Sequence, residues 1–255
     1  MSDMPEARRW LRRARPLLGT LVEVGIEAGT PRADAIFDAA YGAVAHVQRC
    51  LSRFDPHSDI ARFNALRGGE RLGVREPTVT VLRAARTLGD ASAGLFDITL
   101  GSGAADWFCD GAVLHKSRDA TRIDLGGIGK GHAVDAAVEA LLAHGCADGW
   151  VNAGGDLRAF GEAEVPVALR DERSGGVRPF ATVAGGAFAT SHYSQASRSL
   201  VHAPGRDGSV RVHASVAAPE CLWADALTKV VACSGDAGHP LLARHRAQAW
   251  LHSDW

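Results

Sequence analysis

Asp124 and Lys130 bracket a run of glycines, Ile123-Asp124-Leu125-Gly126-Gly127-Ile128-Gly129-Lys130-Gly131. A strand-like end enters this run and a helical pattern leaves it. Glycine lets an anion approach backbone N–H groups, a helix start carries partial positive charge, and Lys130 adds a full one. The chemistry on offer is binding of a phosphate or diphosphate; the plain alternative is an ordinary strand-to-helix turn. A Walker A loop would need Gly at 124 and Ser or Thr at 131, where the chain has Asp124 and Gly131. Nor is it G-x-G-x-x-G, because Gly127 and Gly129 are followed by His132.

Three further segments carry chemistry-bearing residues. Val151-Asn152-Ala153-Gly154-Gly155-Asp156-Leu157 sets Asn and Asp around two glycines and reads first as a hairpin. Gly94-Leu95-Phe96-Asp97-Ile98-Thr99-Leu100-Gly101 places an aromatic beside a carboxylate and a hydroxyl, which suits a flat polar ring and also suits a buried strand. Trp223-Ala224-Asp225-Ala226-Leu227-Thr228-Lys229 opens a helix; its carboxylate and hydroxyl would hold a hard cation such as magnesium or cap the helix. Eleven histidines include no H-E-x-x-H, and no G-x-S-x-G elbow is present, so zinc and α/β-hydrolase chemistry are poor readings. Five cysteines without C-x-x-C spacing read as small buried hydrophobes.

The elements that position these segments follow from periodicity. Leu17 to Glu27 alternates as a strand. Thr30-Pro31 reads as the start of a helix with Ile36, Ala40, Val44, Val47 and Leu51 on one face. Residues 78–91 form a second helix with a stripe of Val79, Leu82, Ala85 and Leu88. A third starts near Gly131, uses Val134, Val138, Leu141 and Leu142, and stops at Gly145. Short β-rich runs follow, the last from Val210 to Ala217 with one wet face; a final amphipathic helix spans 222–232. Lys and Arg number 28 against 29 Asp and Glu, a charge of -1, so no global positive charge points to nucleic acid. Hydrophobic residues at 46% exclude wholesale disorder. No apolar run approaches the ~20 residues that span a bilayer, and no membrane anchor is expected. Arg8, Arg9, Arg12, Arg13 and Arg15 precede no apolar stretch, so residues 1–16 read as a basic, disordered leader rather than a secretory signal. The expected location is the cytoplasm. The fold class is α+β, with a helical half and a sheet-rich half.

In order, these pieces resemble the ApbE family, the FAD:protein FMN transferases. Leu18-Gly19-Thr20 stands where the family has Met-Gly-Thr. Leu51-Ser52-Arg53-Phe54-Asp55-Pro56-His57-Ser58-Asp59-Ile60-Ala61-Arg62-Phe63-Asn64 is similar to its segment ending in Arg-x-Asn. Gly94 to Gly101 matches Gly-x-Phe-Asp-x-Thr-x-Gly, Asp124 to Gly131 matches Asp-Leu-Gly-Gly-x-x-Lys-Gly, Asn152 to Asp156 matches Asn-x-Gly-Gly-Asp, and Ala189-Thr190-Ser191 matches Ala-Thr-Ser. The resemblance runs from Leu17 to about Ser234. It implies one domain over 17–255 of compact ApbE-like, T-fold type, binding FAD and magnesium and attaching FMN to a threonine of a partner flavoprotein. It implies that Asp124 and Lys130 contact the cofactor, that Ser52, Leu95, Phe96 and Asp97 line its flavin side, and that Leu18 replaces a methionine contact. The carbonyl of Gly127 with Asp225 and Thr228 would surround the metal, and His202 would transfer a proton.

Two departures fall at points of chemistry. The family's Ala-Asp-Ala-x-x-Thr supplies a metal ligand four residues after Asp, where this chain has Lys229. Its His-x-x-Asp-Pro-x-Thr-Gly becomes His202-Ala203-Pro204-Gly205-Arg206-Asp207-Gly208, so His202 lacks its usual partner. An ammonium at 229 would stand in for a cation or repel it. The readings that follow are an active transferase with a modified metal site, and an FAD-binding member that has lost transfer and acts as a carrier or interaction protein.

Overall fold

A computed structural model of the protein describes residues 9–170, 175–193 and 212–252. Strands β1 (Trp10–Leu17) and β2 (Thr20–Glu27) form a hairpin whose two loop residues, Leu18 and Gly19, both have positive φ. That geometry matches the twist of the flanking strands. Leu18 is held in it by its N–H, which donates to Gln48 Oε1 at 2.7 Å. The single strand expected from Leu17 is thus two. The leader reading fails over residues 10–16, which pair with β2, while residues 1–8 lie outside the described part. The arginines of β1 are anchored rather than free. Arg13 pairs with Asp34, Arg15 with Asp38 at 2.8 Å, and Arg12, Arg13 and Arg15 lie over the rings of Trp150, Phe37 and Tyr41. Charged side chains also blunt an edge strand, and β1 is an edge.

The sheet continues with β6 (Gly149–Ala153), β7 (Asp156–Arg170), β8 (Val177–Tyr193), β9 (Val212–Ala218) and β10 (Gln248–His252), in the antiparallel order β1-β2-β6-β7-β8-β9-β10. The hairpin expected at Gly154-Gly155 joins β6 to β7. Helices α1 (Ala33–Leu51), α4 (Gly129–Ala143) and α5 (Cys221–Ser234) share the main core with one face of this sheet. A smaller cluster around Trp150, Leu157 and Phe188 lies on the other. A second sheet, β3 (Arg71–Gly73), β5 (Val113–Lys116) and β4 (Trp107–Asp110), stands with α2 (Asp59–Ala65) and α3 (Glu76–Ala91); a short α6 (Leu241–Arg244) precedes β10. The fold is α+β, as expected. No helix among the described residues is long and apolar enough to cross a membrane.

The stripe of α1 is buried as expected, although the helix starts after Arg32 rather than at Thr30. In α3, Val81 joins Leu82, Ala85 and Leu88 in the core. Gly145 ends α4 at φ 83°, but Leu142 is exposed. The polar residues His213 and Ser215 of β9 are buried because β8 and β10 cover both its edges and neither face is wet. Helix α5 is not amphipathic: apart from Trp223 it is buried from Cys221 to Cys233. It sits against α4 at backbone contact, since a Cβ on Gly131 would stand 2.3 Å from the Cys221 carbonyl oxygen. Asp135 of α4 accepts the N–H groups of Cys221 and Leu222 at 2.9 and 2.8 Å and so caps α5 from a neighbouring helix.

Candidate functional site

Two cavities of about 300 and 290 Å³ meet at one wall. The first is bounded by the Leu18-Gly19 turn, by Gln48, Leu51 and Ser52 at the end of α1, and by Asp124 and Lys130. The second is bounded by Leu95, Phe96, Asp97, Gly127 and Lys229. Arg53, Phe54, Asp124 and Gly126 line both. Arg53 Nε lies 3.2 Å from Asp124 Oδ2, and its guanidinium sits 4.2 Å from the centre of the Phe54 ring. Phe54 is 79% exposed, a large aromatic surface left open at the junction. The expectation put Ser52 and the Leu95-Phe96-Asp97 segment on one side of a ligand; the structure puts them in adjoining chambers.

Local hydrogen bonds fix these walls. Ser52 closes α1, and its Oγ accepts the N–H groups of Phe54 and Asp55 at 3.2 Å. The segment 94–101 is a chain of turns, not a strand. Asp97 folds it, accepting Thr99 N and Oγ1 at 2.7 Å and Gly101 N at 2.9 Å. Its carboxylate is therefore spent chiefly on shaping the loop that carries Leu95 and Phe96. Asp124 donates its N–H to the Ile98 carbonyl at 2.8 Å and accepts from Gly126 N at 2.9 Å. Asn64 brackets Ile123 with bonds to its carbonyl (2.9 Å) and its N–H (2.8 Å), which holds Asp124 at the junction.

Beneath the cavities lies a cluster of two lysines and two aspartates. Lys130, on the first turn of α4, pairs with Asp156, which is fully buried at the start of β7. Lys229 pairs with Asp225 one turn earlier on α5. Asp225 also accepts the Gly131 N–H at 3.1 Å, so it ties α5 to the start of α4 and caps nothing of its own helix. Thr228 Oγ1 donates to the Asp225 carbonyl at 2.7 Å and lies 3.2 Å from the Tyr193 hydroxyl and Ser191 Oγ. Burial and the neighbouring Asp225 carboxylate push Asp156 up to about 6, against the pull of Lys130. Burial acts to raise Asp225 too, but the Lys229 and Lys130 ammoniums override it and hold that carboxyl below its usual range. Burial acts to lower Lys229 and Lys130; the carboxylates beside them outweigh it and both are raised. Asp156 Oδ1 is buried with no hydrogen-bond partner among the described residues.

Residues 18–113 and 104–251 match the profile of the ApbE family. The chain belongs to the ApbE family. Its fold is similar to Pseudomonas stutzeri flavinyl transferase ApbE in the apo form, at 22% identity and TM-score 0.82 over 96% of this chain and 91% of that one. It is similar to the flavin transferase ApbE from Vibrio cholerae, at 19% identity and TM-score 0.84 over 97% and 95%. An ApbE protein from Thermotoga maritima gives 21% and 0.77 over 95% and 94%. No match was found among curated proteins.

In this ApbE family member the residues expected from the motifs converge: Leu18, Ser52, Leu95, Phe96, Asp97, Asp124, Gly127 and Lys130 all line the paired cavities. His202 lies outside the described residues. Reading by motif missed Arg53 and Phe54 at the junction, although both sit inside the Leu51-to-Asn64 match. It gives Asp156 and Ser191 only as members of their motifs, with no role at the site, and does not single out Tyr193. A buried lysine demands a buried acid, and Asp156 closing its motif was the available signal. The magnesium set of Gly127, Asp225 and Thr228 does not fit a resident ion here. The Lys229 ammonium contacts the Asp225 carboxylate and lies 3.0 Å from the Asp225 carbonyl, and Thr228 is turned onto that same carbonyl. Among the described residues no group of three or more His, Cys, Asp or Glu side chains could hold a metal.

Proposed function

We propose that this chain is an FAD:protein FMN transferase. The observation that carries the reading is the joined pair of cavities, lined from four separate segments by the residues that make up the family's motifs. Two chambers meeting at a polar, glycine-lined junction suit a dinucleotide, one half in each and the diphosphate between, and each has the volume of a small ligand site. Arg53, Lys130 and Lys229 supply positive charge around that junction. The flat, exposed Phe54 ring and the Leu95-Phe96 pair supply surface for planar rings.

The reaction is phosphoryl transfer. A threonine hydroxyl of the partner flavoprotein attacks the phosphorus of the FMN half. The new O–P bond forms as the phosphoanhydride bond breaks, AMP leaves with the bridging oxygen, and the hydroxyl proton is released to a base. His202 is the residue the motifs offer for that proton. Arg53 and Lys130 orient the diphosphate and stabilise charge on its oxygens. The test is incubation of the pure protein with FAD, with and without magnesium, followed by chromatography for AMP and FMN. Release of AMP supports the transferase. Saturable flavin binding without AMP, with a threonine-bearing acceptor present, leaves a carrier, and no binding at all refutes the flavin reading.

A further inference from the structure

The oxygens that a divalent cation would need at the floor of the second cavity are engaged by a side chain of the protein itself. Lys229 reaches along a regular stretch of α5 to the Asp225 carboxylate, to the Asp225 carbonyl at 3.0 Å and, more weakly, to Ser191 Oγ at 3.4 Å. Its aliphatic stem runs past Gly127, where a Cβ would stand 3.0 Å from Lys229 Cε, so glycine leaves the stem its path. Magnesium binds oxygen at ~2.0–2.1 Å and demands near-octahedral geometry. An ion on the same Asp225 oxygen would lie against the ammonium, in contact and in Coulomb repulsion. The charges of Lys130, Asp156, Asp225 and Lys229 already pair off, and a divalent ion in the substrate-free protein would leave an excess of two beside the fully buried Asp225 and Asp156 carboxylates.

We propose that Lys229 is a tethered cation that takes the place of a divalent ion in this chain, so that a dinucleotide diphosphate binds without magnesium. The proposal rests on the FAD reading above. An ammonium has three N–H donors. Two are used on Asp225, and among the described residues the third reaches only Ser191 Oγ, at 3.4 Å, while Lys229 lines the second cavity. A phosphate oxygen at the junction is the acceptor that donor lacks.

Calorimetric titration of the intact protein with FAD, once in EDTA and once in magnesium, tests this directly. The expected result is the same affinity in both, within about two-fold. A rise of about ten-fold or more with magnesium, the scale of one charge-assisted contact, overturns it. Titration of the substrate-free protein with manganese, followed by its paramagnetic signal, is expected to show no saturable site; a saturable site overturns the proposal. These two measurements need no variant. If FAD binds in neither buffer, the flavin reading fails, and the manganese titration still decides the role of Lys229. The Lys229→Thr variant adds a positive arm. Magnesium is expected to raise its melting temperature and to restore FAD affinity lost in EDTA, while leaving the wild type unmoved; a variant as indifferent to magnesium as the wild type counts against the proposal.

Discussion

Replacing Asp225 by asparagine separates two readings of the helix that carries it. A helix-capping aspartate costs about 1 kcal/mol when lost. The structure places Asp225 inside the helix with no exposed surface and a lysine whose side chain is only 10% exposed against it. Asparagine keeps an oxygen for the Gly131 N–H but removes the charge that compensates Lys229. Breaking a buried pair from one side costs ~3–5 kcal/mol, because the remaining charge is left desolvated. For a chain of this size that is a fall in melting temperature of roughly 6–20 °C. Equilibrium urea unfolding of Asp225→Asn, of Lys229→Met and of the double variant measures it. The double variant should be more stable than the sum of the two single losses implies, since it buries no orphan charge. A loss near 1 kcal/mol for Asp225→Asn, or strict additivity in the cycle, would refute the buried-pair account.

Three more outcomes follow from the geometry. Asp156 titrates near 6 when folded and near 3.8 when unfolded, so the folded state holds its proton more tightly and stability from this group falls as pH rises between those values. Wild type should therefore lose about 2 kcal/mol relative to Asp156→Asn between pH 4 and pH 6, and parallel urea curves across that window would contradict it. Gly131→Ala forces a methyl against the Cys221 carbonyl and should destabilise by ~1–3 kcal/mol or more by moving α4 off α5; an unchanged midpoint in urea would show that the contact yields. Phe54→Ala removes an exposed ring, so its unfolding free energy should change by no more than ~0.5 kcal/mol, while flavin affinity in a fluorescence titration should fall several-fold. Equal flavin affinity would remove Phe54 from the ligand surface.

Much of the fold was legible because it is written in short-range patterns. The stripe from Ile36 to Leu51, the stop at Gly145 and the hairpin at Gly154-Gly155 depend on residues a few places apart, and the structure keeps all three. Motif order over most of the chain named the family, and the motif residues meet at one pair of cavities. Other features were not legible, because periodicity describes a segment's own backbone and not what covers it. Residues 10–16 read as part of a leader because their arginines suggest solvation; pairing with β2, with aromatic rings and aspartates from α1 and β6 under those arginines, makes them a strand.

The roles of the charged residues depended most on tertiary structure. Asp225 looks like a cap or a metal ligand in the sequence because such residues open helices. In the fold its carboxylate accepts the Gly131 N–H, 94 positions away on α4, and pairs with Lys229. Lys130 reads as an anion-binding lysine, and its ammonium meets Asp156, 26 positions on, before it meets any ligand. Charge is visible in a sequence, but the partner that makes a buried charge tolerable is chosen by packing. Here the packing of α4 on β7 brings Asp156 to Lys130, whereas Lys229 meets Asp225 one turn away on its own helix, and both pairs are tolerated because each places a carboxylate beside an ammonium.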